Sequence, residues 1–547
     1  MRFQEKLRTS SKERLWKEYC GFLDMTLEEY MTVQRRLVME QIGIWSQCEL
    51  GRRFCKQGTP RNLEEFRSQV PLTTYADYAD LLLRKDDGCL PEKPMLWIQT
   101  TWEGGMHPMK VAPYSSGMLD TYKRNMMACF ILATGKGRGD FDISVTDHML
   151  YALAPLPFAT GLMPLLLKDE IDIEYLPPVK EAAAMSFKER NVRGFKLGMK
   201  KGIEYFFGLG SVTYYISQSV RALDQGSADS KLKKLKSCSP EMLLRYLRGK
   251  QACKKEKREL LPKDLFRLKG FMCAGTDNWC YKDDLEHMWG IRPMEIFAGT
   301  EPTCIGTETW SRNGMYFFPD ACFYEFIPES EMLRSRDDPD YQPRTVLMDQ
   351  VAAGEKYELV ITVLKGGAFV RYRVGDVYRC MGVENQEEQI RIPRFSYIDR
   401  VPDVIDIAGF TRITENSIRH SIALSGLPVK DWFARKEYTE NKRPQLHLYV
   451  EMERMALPGT AVSVEILRQQ LGIYFKYLDS DYQDLQKILG VDPLNITLVR
   501  CGTFAAYAQS HPKPIRKMNP GTMEVADFLK MTYPPSPAPR EGMIVCH

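Results

Sequence analysis

The segment "IQTTWEGGMHPMKVAPYS", Ile98 to Ser115, places two threonines, two glycines and a lysine where they could grip a phosphate. Thr100, Thr101, Gly104 and Gly105 bring hydroxyls and small residues together, and Lys110 follows before Pro113-Tyr114. Backbone N–H groups of such a loop cradle phosphate without needing a particular side chain. Trp102 and Glu103 break the pattern, because they stand where a phosphate loop is small and hydroxylated. A carboxylate about 4 Å from a phosphate charge costs about 4 kcal/mol in a surface-like dielectric. Glu103 must therefore point away from a bound polyanion or meet a cation.

Three further segments carry chemistry-bearing residues. "FAGTE", Phe297 to Glu301, reads as a strand end, then small residues, then a carboxylate; Thr300-Glu301 also reads as a helix N-cap with a first-turn acid. "RYRVGDV", Arg371 to Val377, reads as a strand running into Gly375-Asp376. "IDRVPDVIDIAGFTRITENSI", Ile398 to Ile418, holds Arg400 and Asp403. Each motif alone is short; their order and spacing carry the argument.

The elements that must position these groups alternate. Apolar residues recur at helical spacing in "EEYMTVQRRLVMEQIGIW", and Thr73 or Thr74 is placed to cap a helix. "FDISV", "IDIEYL", "LKGFMCAG", "MEIFAG" and "FYEFI" read as short buried strands between helical stretches. The alternation predicts an α/β fold with substantially parallel sheets. The apolar run Met149–Leu167 is broken by Pro155, Pro157, Gly161 and Pro164, so it reads as strand, turn and helix start rather than a membrane span. The basic stretch Lys231–Lys263 reads as a solvated helix face whose buried side is Leu232, Leu235, Leu243, Leu244 and Leu247. A boundary near Val401–Ile407 separates a large domain, residues 1–402, from a small α+β domain, residues 403–547.

Composition excludes several classes. With 75 basic and 71 acidic residues in 547, the charge is near balance and gives no push toward nucleic acid or an anionic membrane. The 14 cysteines form no C-x-x-C pair and scatter from Cys20 to Cys546, so neither a disulfide scaffold nor a clustered zinc site is expected. The charged start "MRFQEKLRTSSKERLWKEY" has no apolar core of a signal peptide, and a cytoplasmic location is expected.

Taken together, these segments resemble the adenylate-forming (acyl-activating) superfamily. The chain is most similar to the acyl acid amido synthetases, plant enzymes that conjugate jasmonate and auxin to amino acids, and their bacterial relatives. "FRSQVPLTTYADY", "LAPLPFATGL", "LPPVKEAAAMSFKERNVRGFKLGMKKGI", "LPKDLFRLKGFMCAGTD", "FAGTE", "YFFPDACFYEFIP" and "RYRVGDV" carry the resemblance. It implies a large adenylation domain that binds acyl group and ATP, and a small mobile C-terminal domain. It also implies ATP and Mg²⁺ as cofactors, with a small carboxylic acid and an amine or amino acid as partners, and neither nucleic acid nor membrane.

The resemblance also implies roles. Glu301 would hold Mg²⁺ through oxygen, as hard cations require. Asp376 would take both ribose hydroxyls, which only an acceptor-only carboxylate can do. Tyr372 and Arg373 would flank the nucleotide, with Arg400 near ribose and phosphate and Asp403 at an interdomain hinge. Ala274, Gly275 and Thr276 of "CAGTD" would lie beside the acyl and adenine pocket, small residues there admitting close approach to the backbone, and Phe297 and Thr300 would join them in binding the nucleotide cofactor. Lys513 of "HPKPIRKMNP" matches the mobile catalytic lysine, with Lys517 the alternative. The family loop "SSGTTxGxPK" aligns through Lys110 and Pro113-Tyr114 with one residue inserted, and "SSG" at Ser115–Gly117 is a decoy at a helix start. The competing readings are a thioester-forming acyl ligase and a binding protein that keeps the fold without turnover.

Overall fold

The computed structural model describes residues 1–100, 109–185, 187–218, 220, 238–409, 411–453, 464–478 and 492–532. The chain divides into two compact units, Met1–Val401 and Pro402–His547.

The first unit is built on a mixed sheet. Its parallel half comprises β3 (His148–Ala152), β4 (Glu174–Leu176), β5 (Tyr205–Leu209), β6 (Gly270–Ala274) and β7 (Met294–Gly299). Its antiparallel half comprises β8 (Thr303–Glu308), β9 (Met315–Phe317), β10 (Cys322–Pro328), β11 (Lys356–Val363), β12 (Tyr372–Gly382) and β13 (Arg394–Arg400). The order is β10-β11-β12-β13-β9-β8-β7-β6-β5-β3-β4. β7 is parallel to β6 and antiparallel to β8, so the sheet changes character there. A separate hairpin pairs β1 (Leu96–Gln99) with β2 (Val111–Tyr114).

Helix formation follows local signals. Thr26 and Glu29 form a capping box at the start of α1, Leu27–Trp45, and Ser115 caps α2, Ser116–Thr134, by accepting from the Met118 N–H. α2 is buried along most of its length, so the "SSG" there starts a core helix. Thr74 and Asp77 form the same reciprocal cap on a single 3₁₀ turn, while Thr73 is buried and donates to the Val370 carbonyl at 2.8 Å. The apolar run Met149–Leu167 resolves into β3 and α3, Ala159–Glu170, with Pro164 inside the helix. Among the described residues no helix is long and apolar enough to cross a membrane.

Two expectations fail. "FDISV" is not a strand: the Ser144 N–H is taken by the Asp147 carboxylate at 3.1 Å, closing a turn instead of pairing with a neighbour. The leucines of the basic stretch are not its buried side. α4 (Phe187–Lys201) packs beside α5 (Pro240–Glu256), and α5 buries Met242, Tyr246, Gly249 and Cys253 while exposing Leu243, Leu244 and Leu247. The buried set lies on the adjacent side of the helix, where Gly249 lets the backbone approach Leu260 and Asp264. Leu232 and Leu235 lie outside the described residues.

The second unit has an antiparallel pair, β14 (Val404–Ile407) with β15 (Thr411–Thr414). It also has a three-stranded sheet of β16 (Val429–Tyr438), β17 (Pro444–Met452) and β18 (Leu494–Val499). Phe433, Tyr449, Phe504 and Phe528 form its aromatic core. The buried Glu451 carboxylate accepts from the Gly502 and Phe504 N–H groups, fixing the start of the helix Thr503–Ser510.

Candidate active site

The carboxyl ends of β6 and β7 lie side by side where the parallel half gives way to antiparallel strands. Ligands of open α/β sheets bind in crevices outside the carboxyl ends of strands. Ala274 ends β6; Gly275 follows with φ +92°, a backbone geometry that favours glycine. The Asn278 amide secures this turn, donating to the Gly275 carbonyl at 2.8 Å and accepting from the Gly210 N–H at 3.1 Å. Thr276 is buried beside it.

Thr300 to Pro302 form the turn between β7 and β8, with Gly299 opposite Thr303. No helix follows Glu301, so the N-cap reading is excluded in favour of a hairpin turn. Tyr114 at the end of β2 holds this turn, its hydroxyl donating to the carbonyls of Thr300 at 2.8 Å and Gly299 at 3.2 Å.

The Glu301 carboxylate is buried and meets two separate elements: the Tyr372 hydroxyl donates to Oε1 at 2.8 Å and Lys110 Nζ lies 3.5 Å away. Burial alone pushes this carboxyl up, but the Lys110 ammonium and the Tyr372 hydroxyl outweigh it and hold Glu301 below the usual carboxylate range. Burial pushes the Tyr372 phenol well above its ordinary range, and the Glu301 carboxylate adds to that. Lys110 closes the β1–β2 stem, where Thr100 N–H donates to the Lys110 carbonyl at 2.9 Å and the Lys110 N–H to Thr100 Oγ1 at 3.0 Å. Thr101, Trp102, Glu103, Gly104 and Gly105, the centre of that loop, lie outside the described residues.

Asp376 and Arg400 face each other across β12 and β13, Arg400 Nε 3.2 Å from Asp376 Oδ1, and both are largely buried. Both residues of this pair lie within the first unit. The Tyr397 hydroxyl donates to Asp376 Oδ1 at 3.5 Å, and the Tyr397 ring stacks on Phe297 at 6.3 Å and 24°. Phe297 also meets Tyr378 edge-on at 5.5 Å; the Tyr378 hydroxyl is buried and finds no hydrogen-bond partner among the described residues. A cavity of about 210 Å³ opens here, lined by Gly275, Asp277, Asn278 and Tyr397 among others.

Arg373 departs from its expected place beside the nucleotide. It sits on the opposite side of β12 from Tyr372 and makes a bidentate pair with Glu358 of β11 at 2.8 and 2.6 Å. Arg371 is likewise committed within the fold, pairing with the buried Glu325 at 2.9 Å and donating to the Val70 carbonyl at 2.6 Å. Sequence reasoning missed Tyr75 and Tyr397. Tyr75 Oη accepts from the Val111 N–H at 2.6 Å and its ring lies 5.8 Å from Lys110 Nζ. The only sequence signal for Tyr75 was the cap at Thr74; for Tyr397, its place three residues before Arg400.

Lys513, Lys517 and Asp403 belong to the second unit. The Lys517 ammonium pairs with Asp431 and donates to the Trp432 carbonyl at 2.9 Å. Its backbone is stitched to β16, its carbonyl accepting from the Ala434 N–H at 2.7 Å. Lys513 and Asp403 are exposed.

The fold is similar to that of a 2-hydroxyisobutyryl-CoA ligase solved with its acyl-AMP and CoA, with TM-score 0.52 at 16% identity, covering 88% of this chain and 86% of that one. Residues 20–103 match the model of the GH3 family N-terminal domain and residues 315–411 that of the GH3 family central domain. An indole-3-acetic acid-amido synthetase of Arabidopsis thaliana is 29% identical over 244 residues, 40% of this chain and 37% of that protein. A probable indole-3-acetic acid-amido synthetase of Oryza sativa subsp. japonica is 37% identical over 34% of this chain and 30% of its own length. A jasmonoyl–L-amino acid synthetase of Nicotiana attenuata is 26% identical, with the same 34% and 30% coverage. The chain spans about a third of the length of the curated relatives it matches.

Proposed function

We propose that the protein is an ATP- and Mg²⁺-dependent ligase that adenylates a small carboxylic acid and transfers the acyl group to an amine or amino acid. The observation that carries this reading is the convergence of Lys110, Glu301 and Tyr372. Three separate segments meet on one buried carboxylate, held ionised at the carboxyl end of β7.

The donor chemistry fits a nucleotide-borne Mg²⁺, an ion that takes one or two protein carboxylates and the substrate's phosphates. Glu301 would hold it, and the ion would supply charge neutralisation at the phosphates. Lys110, beside Glu301, is placed to meet phosphate oxygens. Asp376 accepts from the ribose hydroxyls, with the Arg400 guanidinium beside it. The base enters the cavity beside Gly275 and Tyr397.

In the first half-reaction the substrate carboxylate attacks the α-phosphorus and the bond to the β-phosphate breaks, releasing pyrophosphate. In the second, the amine nitrogen attacks the acyl carbon, AMP leaves and the nitrogen loses a proton. Lys513, in the small mobile domain of residues 403–547, supplies positive charge to the first step; Lys517 is already committed to Asp431 and Trp432. Asp403 serves as the hinge.

Support also comes from the GH3 domain matches and from relatives named as amido synthetases. Product analysis tests the reading: incubation with ATP, Mg²⁺, a panel of small carboxylic acids and mixed amino acids yields AMP and one amide by mass spectrometry. A thioester formed only with coenzyme A, or no product with any acid, contradicts it.

A further inference from the structure

α5 presents a surface that the ligase reading leaves unused. Leu243, Leu244 and Leu247 are 36%, 47% and 56% exposed and occupy positions i, i+1 and i+4, one stripe over the first turns. Arg248, Lys254 and Lys255, all exposed, border and extend the stripe, and the helix as a whole carries five basic residues against two acidic ones. α4, packed beside it, adds Lys196 and Lys200 on its own exposed side.

The chain's own neighbouring segment is an unsuitable cover. Residues 231–236, "KLKKLK", repeat the same basic and leucine character, so like charges would meet. Nucleic acid would satisfy the lysines but offers nothing to the leucines, and the helix's one aromatic residue, Tyr246, is buried. A stable protein interface needs about 800 Å² from each partner, more than one convex two-turn stripe supplies. A leucine stripe edged with lysine and arginine matches an interfacial helix that lies in the headgroup layer, its apolar side chains inserted and its basic ones on anionic lipid.

We propose that the exposed face of α5 docks the protein on an anionic lipid bilayer. The contact lies outside the candidate active site and needs no turnover. It reverses the expectation, drawn from overall charge balance, that the protein has no membrane partner: the charge is locally segregated.

The test is co-sedimentation of the full chain with vesicles of equal parts phosphatidylserine and phosphatidylcholine, against phosphatidylcholine alone. The proposal expects partition to the anionic vesicles only, weakening as salt rises through the physiological range. R248A and K254A should each lower the partition coefficient about five-fold. L244S/L247S should lower it by at least ten-fold with an unchanged thermal melt. Absence of partition at low salt would overturn the proposal. So would full retention by L244S/L247S, which would mark a purely electrostatic surface, or equal binding to the neutral vesicles.

Discussion

Glu301 is the residue on which the account turns. Its folded-state pKa is lowered, so its contribution to stability is present above the ordinary glutamate value and is lost as pH falls through the lower folded value. Between pH 6 and 8 the ionised state of Glu301 should therefore be flat, and any acid limb it causes in ATP binding should lie below about pH 4.3. Glu301→Gln removes the charge at constant shape; pyrophosphate release should fall about 10²- to 10³-fold, read by initial rates. Tyr372→Phe leaves the buried carboxylate one donor short and should cost about 1–3 kcal/mol in urea unfolding. The two lysines of the second unit should separate cleanly. Lys513→Ala should slow adenylation, whereas Lys517→Ala, which strips a partner from Asp431, should lower stability with adenylation largely kept. At this scale the sequence was informative where a motif is short and fixed: Asp376 and Arg400, read from two separate stretches, lie side by side, and Glu301 meets Lys110. It was silent on Tyr75 and Tyr397, whose roles depend on which strands become neighbours. It misplaced Arg373, because alternation along β12 sends adjacent side chains to opposite sides.

Elements explain why those residues can meet. β7 pairs parallel on one edge and antiparallel on the other, so its carboxyl end opens beside that of β6. Gly275, at φ +92° with a virtual Cβ only 2.9 Å from Leu209 Cδ2, makes the turn out of β6. Gly275→Ala should destabilise by about 1–2 kcal/mol, seen as a lower denaturant midpoint, chiefly from the backbone strain. The Arg371–Glu325 pair ties β12 to β10 and to the Val70 carbonyl; Arg371→Met leaves Glu325 buried without its main partner and should cost about 3–5 kcal/mol. A strand with a continuous apolar run, such as β6, was legible because burial on both sides leaves an uninterrupted signal. "FDISV" also read as a strand, but its Ser144 N–H is taken by the Asp147 carboxylate, a competition that composition does not reveal. In α5 the three leucines stay exposed while Met242, Tyr246, Gly249 and Cys253 are buried, and Gly249 and Cys253 rather than leucines meet the neighbouring turn.

The whole molecule joins a large mixed α/β unit ending at Val401 to a smaller α+β unit beginning at Pro402, and the fold class follows from the alternation of strands and helices in the chain. The strand order, with β9 paired to β13 and β8, was beyond reach of local pattern because it is set by long-range pairing. If the site holds a nucleotide, ATP with Mg²⁺ should raise the melting temperature, with about 2.7 kcal/mol of added stability at a hundred-fold excess over Kd. The most direct test of the central claim is pyrophosphate release by the purified protein with ATP, Mg²⁺ and a panel of small carboxylic acids, run in parallel with Asp376→Ala. The account predicts release that depends on one acid or a narrow set and is lost in the variant. Release with no acid dependence, or none with any acid in a protein that also fails to bind ATP, would contradict it.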